Sequence, residues 1–366
     1  MEFVFNENDR SICVIYFSKG LNLDTIEKEY SDYDSLNVIY PQNVSDDVFD
    51  KYKAVMSFIE YGGCRGNHTH SIEVSLLKSP EELLQQMTKN TRYEVRRALN
   101  KDELCTEFLM DISEQELQEF LTLYNAFADL KNLGHIGEAK IRKLAADGMY
   151  AVTKCYSSDG TLLVEHTYYL DKEDKRAMLA TSCSLYRKEE YVQYKNLIGR
   201  ANRMMHYQDM LYFKSEGYEI YDFNGISDFS EETHAIADFK RGFGGNVITY
   251  QSGFAIPCKM IKMIDDKLKS MMKEQEKEII IYGFGKIGKY VRDEMERLEY
   301  THYKILDNYA KAPEKAQYLR DEDLERFDGG RHLLLMTLQE QTFQKLESKL
   351  SEFGYFRDKN LVTLLF

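Results

Sequence analysis

The segment around Asp159 and Gly160 constrains the fold more than any other part of the chain. This dipeptide stands between two runs rich in β-branched and aromatic residues, MYAVTKCYS before it and TLLVEHTYYLD after it. Asp-Gly at such a position is a strong signal for a β-hairpin. A third run of the same kind, RAMLATSCSL, follows, and helical patterns lie on both sides of the three runs. We therefore predict an antiparallel meander within a mixed α/β domain.

Length and composition indicate a globular protein with more than one domain. The chain has 366 residues, of which 43% are hydrophobic and 30% are charged, so it can bury two or three cores. Its net charge of −13 disfavours broad adhesion to nucleic acid or to anionic membranes, although it is compatible with a local basic groove. Six scattered cysteines, the lack of a signal-peptide pattern and the lack of a long apolar run predict a cytoplasmic protein without membrane insertion.

Prolines and apolar periodicity divide the chain into two predicted domains. Residues 1–256 form the first, with a short α/β part over 1–74 and a core over 75–256. A charged, Met-rich helix over 257–276 is predicted to link it to a small parallel α/β domain over 277–366.

Two helices of the core carry clear start signals. Ser79 and Pro80 supply an N-cap and a first-turn proline for a helix predicted over 81–100. Ser113 and Glu116 form a capping-box pattern at the start of a second helix.

Four segments then carry a family resemblance. They are, in order along the chain, 92–98 (RYEVRRA), 199–202 (GRAN), 221–225 (YDFNG) and 239–245 (FKRGFGG). Together they resemble the Fem-type aminoacyltransferases, which build peptidoglycan interpeptide bridges and belong to the GNAT superfamily of N-acyltransferases. The resemblance implies a GNAT-type mixed sheet flanked by helices.

The same resemblance implies transfer of an acyl or aminoacyl group to an amine of a cell-wall or surface-glycan precursor. The donor would be aminoacyl-tRNA, as in the Fem-type enzymes, or acyl-CoA, as in the wider superfamily. Bridge-building enzymes usually carry two GNAT units, whereas the stretch before Ser75 is too short for a second one. This departure leaves the acceptor open. A catalytically inactive scaffold or nucleotide-sugar-binding protein of a surface-polysaccharide pathway is the second hypothesis, and a dehydrogenase is a weaker third.

The segment FKRGFGG supplies the catalytic residues that the resemblance implies. Lys240 would stabilise negative charge on the attacked carbonyl oxygen, Phe239 would form a wall of the site, and Gly244 would let the acyl chain pass. The alternative is a basic hairpin corner whose glycines serve only the turn. If the role is catalytic, Lys240→Ala is predicted to abolish transfer without changing the melting temperature.

Other segments supply predicted substrate-binding residues. Gly199, Arg200 and Asn202 belong to a loop and helix start that would hold the phosphate-rich arm of the donor; the alternative is an ordinary helix start. Arg92 and Arg96 share a helix face and resemble the clamp on the acceptor's diphosphate, or else they form a solvated face.

The amine must lose a proton, and three residues are hypotheses for the base. They are Asp222, at the end of its strand, and the neighbours Glu165 and His166. His68 and His70 could suggest a metal, but Cys64 and the surrounding residues do not offer a usual ligand set, so no metal is predicted.

The C-terminal domain has a glycine fingerprint of its own. A strand leads into Gly283, Gly285 and Gly288 at the spacing G-x-G-x-x-G, a helix follows, and Asp307 lies further on. This context is typical of dinucleotide binding, and the unit resembles a truncated Rossmann-like parallel α/β domain. Binding of a nucleotide or nucleotide sugar is one hypothesis for it. The alternative is a docking or dimerisation module that retains the glycines, and no oligomeric state is predicted.

Overall fold

A computed structural model describes residues 1–59, 68–184, 193–226, 231–274, 277–307, 318–319, 323, 330–338, 340–357 and 359–364. The chain divides into two compact units. The first unit comprises Met1–Ser18, Val38–Gln42 and Phe58–Gly253, and the second unit comprises Lys19–Asn37, Asn43–Ser57 and Phe254–Phe366. Among the described residues, none of the helices has the length and hydropathy that crossing a bilayer requires.

The described residues form seventeen strands and eleven helices. The strands are β1 (Glu2–Glu7), β2 (Arg10–Tyr16), β3 (Ser35–Ile39), β4 (Ser57–Ile59), β5 (His68–Ser75), β6 (Cys105–Leu109), β7 (Tyr150–Tyr156), β8 (Leu162–Asp171), β9 (Arg176–Ser184), β10 (Ile220–Asp222), β11 (Asn246–Gln251), β12 (Gly253–Ile256), β13 (Glu278–Tyr282), β14 (Tyr303–Leu306), β15 (Tyr318–Leu319), β16 (His332–Met336) and β17 (Leu361–Thr363). The helices are α1 (Leu23–Thr25, continued by a π-helical turn over Ile26–Tyr30), α2 (Asp46–Tyr52), α3 (Pro80–Gln85), α4 (Lys89–Lys101), α5 (Glu114–Lys131), α6 (Glu138–Ala146), α7 (Lys195–Ser215), α8 (Glu231–Arg241), α9 (Cys258–Glu274), α10 (Lys286–Arg297) and α11 (Glu340–Glu352).

A seven-stranded sheet forms the framework of the first unit. Its order is β11-β5-β10-β9-β8-β7-β6. Strands β6 to β9 form an antiparallel meander, and the turn between β7 and β8 contains Gly160 at φ +83°, which confirms the predicted hairpin. Strands β9 and β10 are parallel, whereas β10, β5 and β11 pair antiparallel. The predicted mixed α/β fold is therefore confirmed.

The parallel pair decides where helix α7 lies. Parallel neighbours cannot be joined by a hairpin and need a crossover, and α7 is the helix between β9 and β10 in the chain. Its buried positions include Ile198, Ala201 and Met205, which pack on Leu163 and Val164 of β8. The spacing of three and four residues places these side chains on one helical face.

Two helical predictions need correction. The single helix predicted over 81–100 is two helices, α3 and α4, because Thr88 caps the second one through its side chain. The first begins with a capping box of Ser79 and Glu82 and ends at Gln85. Helix α8 was not predicted, because its sequence was assigned to a turn before a strand. The capping box of Ser113 and Glu116 at α5 is confirmed.

The second unit contains a parallel sheet of five strands. Its order is β15-β14-β13-β16-β17, and all the pairs within it are parallel. Numbered within this unit from β13 onward, the order is 3-2-1-4-5, as in doubly wound sheets. Helix α10 follows β13 directly, as the glycine pattern predicted.

Gly245 allows a close backbone approach in the first unit, and its substitution should destabilise the protein. Its φ is +90°, and an added Cβ would collide with the carbonyl oxygen of Glu73. Gly217 has a similar φ of +87° but no atom within 4 Å of an added Cβ. We expect Gly217→Ala to lower the free energy of unfolding by about 1–2 kcal/mol. Gly245→Ala should lower it by about 1–3 kcal/mol more than Gly217→Ala does, because of the collision with Glu73. Urea denaturation measures both, and equal losses would refute the close approach.

Candidate functional site

A cavity of about 740 Å³ lies in the first unit. The end of β9, the first turns of α7 and most of α8 supply its walls. The lining residues are Phe127, Leu179, Ser182, Ser184, Ile198, Gly199, Asn202, Arg203, His206, Glu231, Ala235, Ile236, Phe239 and Lys240. The cavity thus lies at the carboxyl end of β9, one of the two parallel strands, which is where open α/β sheets commonly bind ligands.

Lys240 lies in the last turn of α8 and reaches the cavity. Its Nζ donates hydrogen bonds to the backbone carbonyls of Phe223, Asn224 and Gly225, at 2.8, 2.9 and 2.7 Å. An ammonium has three N–H donors, so all of them are used by the loop that follows β10. Burial lowers the pKa of Lys240 to about 8, and the charge of Asp222 opposes this shift. Lys240 can therefore supply a positive charge, but its N–H groups already have acceptors.

The interpretation of FKRGFGG as a corner before a strand is corrected by the structure. Phe239 and Lys240 belong to α8, and the N–H of Gly242 still bonds to the Asp238 carbonyl at 3.0 Å. Gly244, at φ +78°, would bring an added Cβ within 2.8 Å of the Gln86 carbonyl oxygen. Gly244 does not line the cavity. The hydrogen atom that a side chain would replace points toward the backbone of Gln86.

Phe239 forms part of the cavity wall. Its ring packs edge-on against Phe243 at 5.4 Å, and the Arg203 guanidinium lies 4.9 Å from its centroid. The contact with the guanidinium is a cation–π interaction. It places Arg203 on the same wall.

Asp222 is buried away from the cavity lining. One carboxylate oxygen accepts hydrogen bonds from Ser71 Oγ and, at 2.8 Å, from the N–H of Asn224; the other accepts from Arg176 at 2.7 Å. Burial raises the pKa of Asp222, while Arg176 opposes the rise. Both oxygens are engaged, so this carboxylate anchors the loop after β10 and is not positioned as the base.

Glu165 and His166 are both buried, and neither lines the cavity. Burial raises the pKa of Glu165 to about 7, and Lys154 opposes that shift. His166 contacts two residues of the cavity lining: Asn202, whose Oδ1 is 2.8 Å from Nε2 of His166, and His206, whose ring stacks on that of His166.

The predicted donor loop is part of a helix. Helix α7 begins at Lys195, so Gly199 is its fifth residue and its N–H lies beyond the first four, which lack intrahelical partners. Gly199 and Asn202 both line the cavity. Arg200 does not, because its guanidinium forms two hydrogen bonds to the Asp102 carboxylate at 2.5 and 3.0 Å.

Arg92 and Arg96 lie on α4, outside the cavity lining. Arg92 Nη1 donates to the backbone carbonyl of Gln85 at 3.0 Å and to its side chain at 2.9 Å, and Arg96 is exposed. The acceptor clamp stays a prediction.

His206 is a cavity residue that sequence reasoning missed. Its ring is buried, and its Nδ1 lies 2.7 Å from the Tyr221 hydroxyl. Burial, aided by the nearby His166, Lys240 and Arg203, holds the pKa of His206 well below its usual range. The imidazole is thus uncharged at neutral pH. The sequence signal was its position four residues after Asn202 on one helical face.

Buried polar groups connect His206 to Asp209. Tyr168 OH donates to Asp209 Oδ2 at 2.5 Å and lies 2.8 Å from Tyr221 OH. His166 Nδ1 lies 2.8 Å from the same Asp209 oxygen.

Three of these groups, on His166, His206 and Asp209, come within 4.8 Å of one another. They are nevertheless poorly arranged for a metal. The two imidazole rings stack at 4.1 Å with an interplanar angle of 26°, and nitrogen lone pairs lie in the ring planes. Their lone pairs therefore do not converge on one point as tetrahedral coordination requires. Of the other suggested ligands, His70 contacts Thr249 at 2.9 Å, and Cys64 lies outside the described residues.

The glycine loop of the second unit is held largely by its own residues. An added Cβ on Gly283 would come within 2.5 Å of Leu338, and one on Gly288 would collide with the Gly283 carbonyl. Gly285 precedes α10 and has open space. Asp307 accepts a hydrogen bond from the N–H of Phe284 at 2.6 Å, so its carboxylate binds this loop. Nucleotide binding here stays a prediction.

Comparison with known proteins gives only distant structural similarity. No protein-family model matches the chain, and no curated protein matches it. Among solved structures, FemX aligns at 13% identity with a TM-score of 0.48, covering 71% of this chain and 85% of that one. The C-terminal domain of a lysylphosphatidylglycerol synthetase from Agrobacterium fabrum aligns at 11% identity and a TM-score of 0.39, covering 72% and 84%. L-PGS from Bacillus licheniformis aligns at 11% and 0.38, covering 69% and 79%. All three TM-scores are below 0.5, so we draw no function from them.

Loss of the Lys240 ammonium should destabilise the protein, contrary to the expectation from sequence. Lys240→Met leaves three carbonyls without their donor, and we expect it to lower the free energy of unfolding by about 1–3 kcal/mol. Lys143→Met is the control, because it removes only a partly exposed pair with Asp147, worth roughly 0.3–0.5 kcal/mol. Guanidinium denaturation compares the two variants, and indistinguishable midpoints would show that the loop does not depend on Lys240.

Proposed function

We propose that this protein is an N-acyltransferase and that the cavity is its active site. It would transfer an acyl or aminoacyl group to an amine of a cell-wall or surface-glycan precursor. The observation that carries the proposal is the meeting of two separate segments at one cavity. Gly199 and Asn202 of the first segment, and Phe239 and Lys240 of the second, line it together with the uncharged His206. The sequence resemblance had assigned both segments to the same chemistry.

The walls of the cavity suit the two partners of such a reaction. Leu179, Ile198 and Ile236 offer apolar contact to an acyl group. The Arg203 and Lys240 cations of the same wall would stabilise negative charge that develops on the attacked carbonyl. Exposed Glu231 offers a carboxylate to an incoming ammonium. Aminolysis of an ester or thioester would use all three features: the apolar wall for the acyl group, the cations for the carbonyl oxygen and the carboxylate for the amine.

The donor is either acyl-CoA or aminoacyl-tRNA, and both carry phosphate. Arg203 is a cation of the cavity wall that could meet a phosphate, and its Nη1 also donates to the Gly199 carbonyl at 3.0 Å. The net charge of −13 disfavours a large polyanion such as tRNA. The acceptor, whether small molecule or glycan precursor, is defined here only by its amine.

One observation favours the alternative of an inactive scaffold or nucleotide-sugar-binding protein. Lys240 uses its three N–H groups on backbone carbonyls, so it could serve the structure alone. Such a protein would bind a nucleotide sugar without catalysing transfer.

Ligand binding in the cavity can be tested with a single tryptophan. The chain has none, and Ile236, on the cavity wall, is 41% exposed. We expect the emission of Ile236→Trp to change on titration with acetyl-CoA or with aminoacyl-tRNA, because either donor would exclude water from the indole. Mass spectrometry then detects transfer from the binding donor to amino sugars and to a peptidoglycan-precursor peptide.

The control places the indole elsewhere in the first unit. Ala146→Trp, at the exposed end of α6, should show no change with either donor. If neither donor changes the Ile236→Trp signal while a UDP-sugar raises the melting temperature, the scaffold hypothesis replaces the acyltransferase. Stabilisation by NAD alone would favour the dehydrogenase hypothesis.

The charge of Lys240 predicts an alkaline limit to the reaction. With a pKa of about 8, Lys240 is mostly charged at pH 7 and loses its proton as the pH rises through 8. We expect the rate at saturating donor to fall over this range. In Lys240→Arg the fall should disappear, since a guanidinium keeps its charge. A pH profile of the rate, measured with a stopped assay, tests this. If the rate of the variant fell over the same pH range, the fall would be assigned to another group.

A further inference from the structure

The direction of the hydrogen bonds between Asp209 and His206 can be worked out from donor counting. A carboxylate can only accept, and a tyrosine hydroxyl has one proton. Tyr168 donates its hydroxyl proton to Asp209. In its contact with Tyr221 it must therefore accept, so that Tyr221 is the donor there.

The same counting determines the tautomer of His206. Since the Tyr221 proton is directed at Tyr168, the Tyr221 oxygen accepts in its 2.7 Å contact with His206 Nδ1. His206 must then carry its proton on Nδ1. Its Nε2 keeps a lone pair, and the ring lines the cavity. Burial and the nearby Asp209 raise the pKa of both tyrosines well above the usual range, so both hydroxyls stay protonated.

We propose that His206 is the general base of the cavity and that Asp209, acting through Tyr168 and Tyr221, holds its imidazole in the Nδ1–H form. The proposal rests on the proposed function. His206 would be a catalytic residue, because its Nε2 takes the proton of the acceptor amine. Asp209, Tyr168 and Tyr221 are positioning residues, since they act only through that ring.

The step balances without any further reagent. The amine lone pair attacks the carbonyl carbon of the donor, a C–N bond forms, and the amine proton passes to His206 Nε2. The C–S bond of a thioester or the C–O bond of an ester then breaks. The imidazolium returns a proton to the leaving thiolate or alkoxide, so His206 ends as it began.

The surroundings of the ring fit this role. Rings of Phe223, Phe239 and Phe243 lie 5.1, 5.6 and 5.1 Å from it, and they limit its access to water. On protonation, the positive charge would stay on the His206 ring, and the two polarised hydroxyls that end at the Asp209 carboxylate would stabilise it. The neighbouring cations Lys240 and Arg203 would help to expel the proton to the leaving group.

The tautomer can be measured without any substrate. In protein with ¹⁵N-labelled histidine, two-bond ¹H–¹⁵N correlation spectra distinguish pyrrole-type from pyridine-type nitrogens, and His206→Gln identifies the signal among the eight histidines. We expect Nδ1 to be pyrrole-type and Nε2 to be pyridine-type. In Tyr168→Phe the link to Asp209 is broken, and both tautomers should appear. Tyr150→Phe, in a fully buried ring of β7 outside this network, should leave the signal unchanged.

Rate measurements provide a second test of the base assignment. With the donor and an amine acceptor that react in the wild type, His206→Gln should lower kcat by about 10²–10⁴-fold. The Ile236→Trp reporter should show unchanged donor affinity, and added imidazole should restore part of the rate. Tyr168→Phe should lower kcat less and leave KM for the donor unchanged.

The outcomes separate the two proposals. If the wild type transfers an acyl group and His206→Gln retains the rate, the base assignment is overturned and the proposed function stands. If Nε2 carries the proton in the wild type, or if a stoichiometric metal is lost in His206→Gln, the assignment is also overturned. If the wild type transfers from neither donor, the proposed function fails and the assignment of a base fails with it.

Discussion

The parallel pairing of β9 and β10 is the constraint on which the first unit depends. Every other neighbour in the seven-stranded sheet is antiparallel, so this is the one place in the described sheet where a helix has to cross between adjacent strands. That helix is α7, and the next helix after β10 is α8. Both therefore begin from the same end of the sheet. The cavity lies at this end of the sheet, which explains why residues far apart in sequence share its wall.

Polar burial around this crossover is extensive and is almost fully compensated. Arg176, Glu73 and Asp222 form one buried group, and the carboxylate of Asp222 holds the loop whose carbonyls bind Lys240. Burying such charges unpaired would cost several kcal/mol or so each. The exceptions among the described residues include Arg176 Nε, Glu165 Oε1 and Asp209 Oδ1, which are buried without a hydrogen-bond partner. The other oxygen of the Asp209 carboxylate carries the contacts that determine the orientation of His166 and Tyr168.

Sequence reasoning was most reliable where a local rule controls the structure. The Asp-Gly hairpin, the capping box at Ser113 and the strand-glycine-helix pattern of the second unit depend on neighbouring residues only, and the structure has all three. It failed at α8, because Gly242, Gly244 and Gly245 suggested a turn that in fact begins only after the helix ends. It also failed to find His206, whose importance depends on Tyr221 and Asp209 being brought to it by the fold. Such a network has no fixed spacing in sequence.

The electrostatics of the cavity link Lys240 to His206. A buried cation beside a histidine makes the protonation of that histidine costly, and His206 lies near both Lys240 and Arg203. Burial and these two cations together hold the pKa of His206 well below its usual range, so the imidazole is a weak base that releases its proton readily to the leaving group. Asp209 offers the opposing charge at the far end of the two tyrosines, so a proton that arrives on Nε2 is matched by a carboxylate that solvent does not reach. The cations would then stabilise the charge on the substrate oxygen, while the carboxylate stabilises the charge on the ring. This division of charge is why we assign the reaction to the uncharged imidazole and not to Lys240 alone.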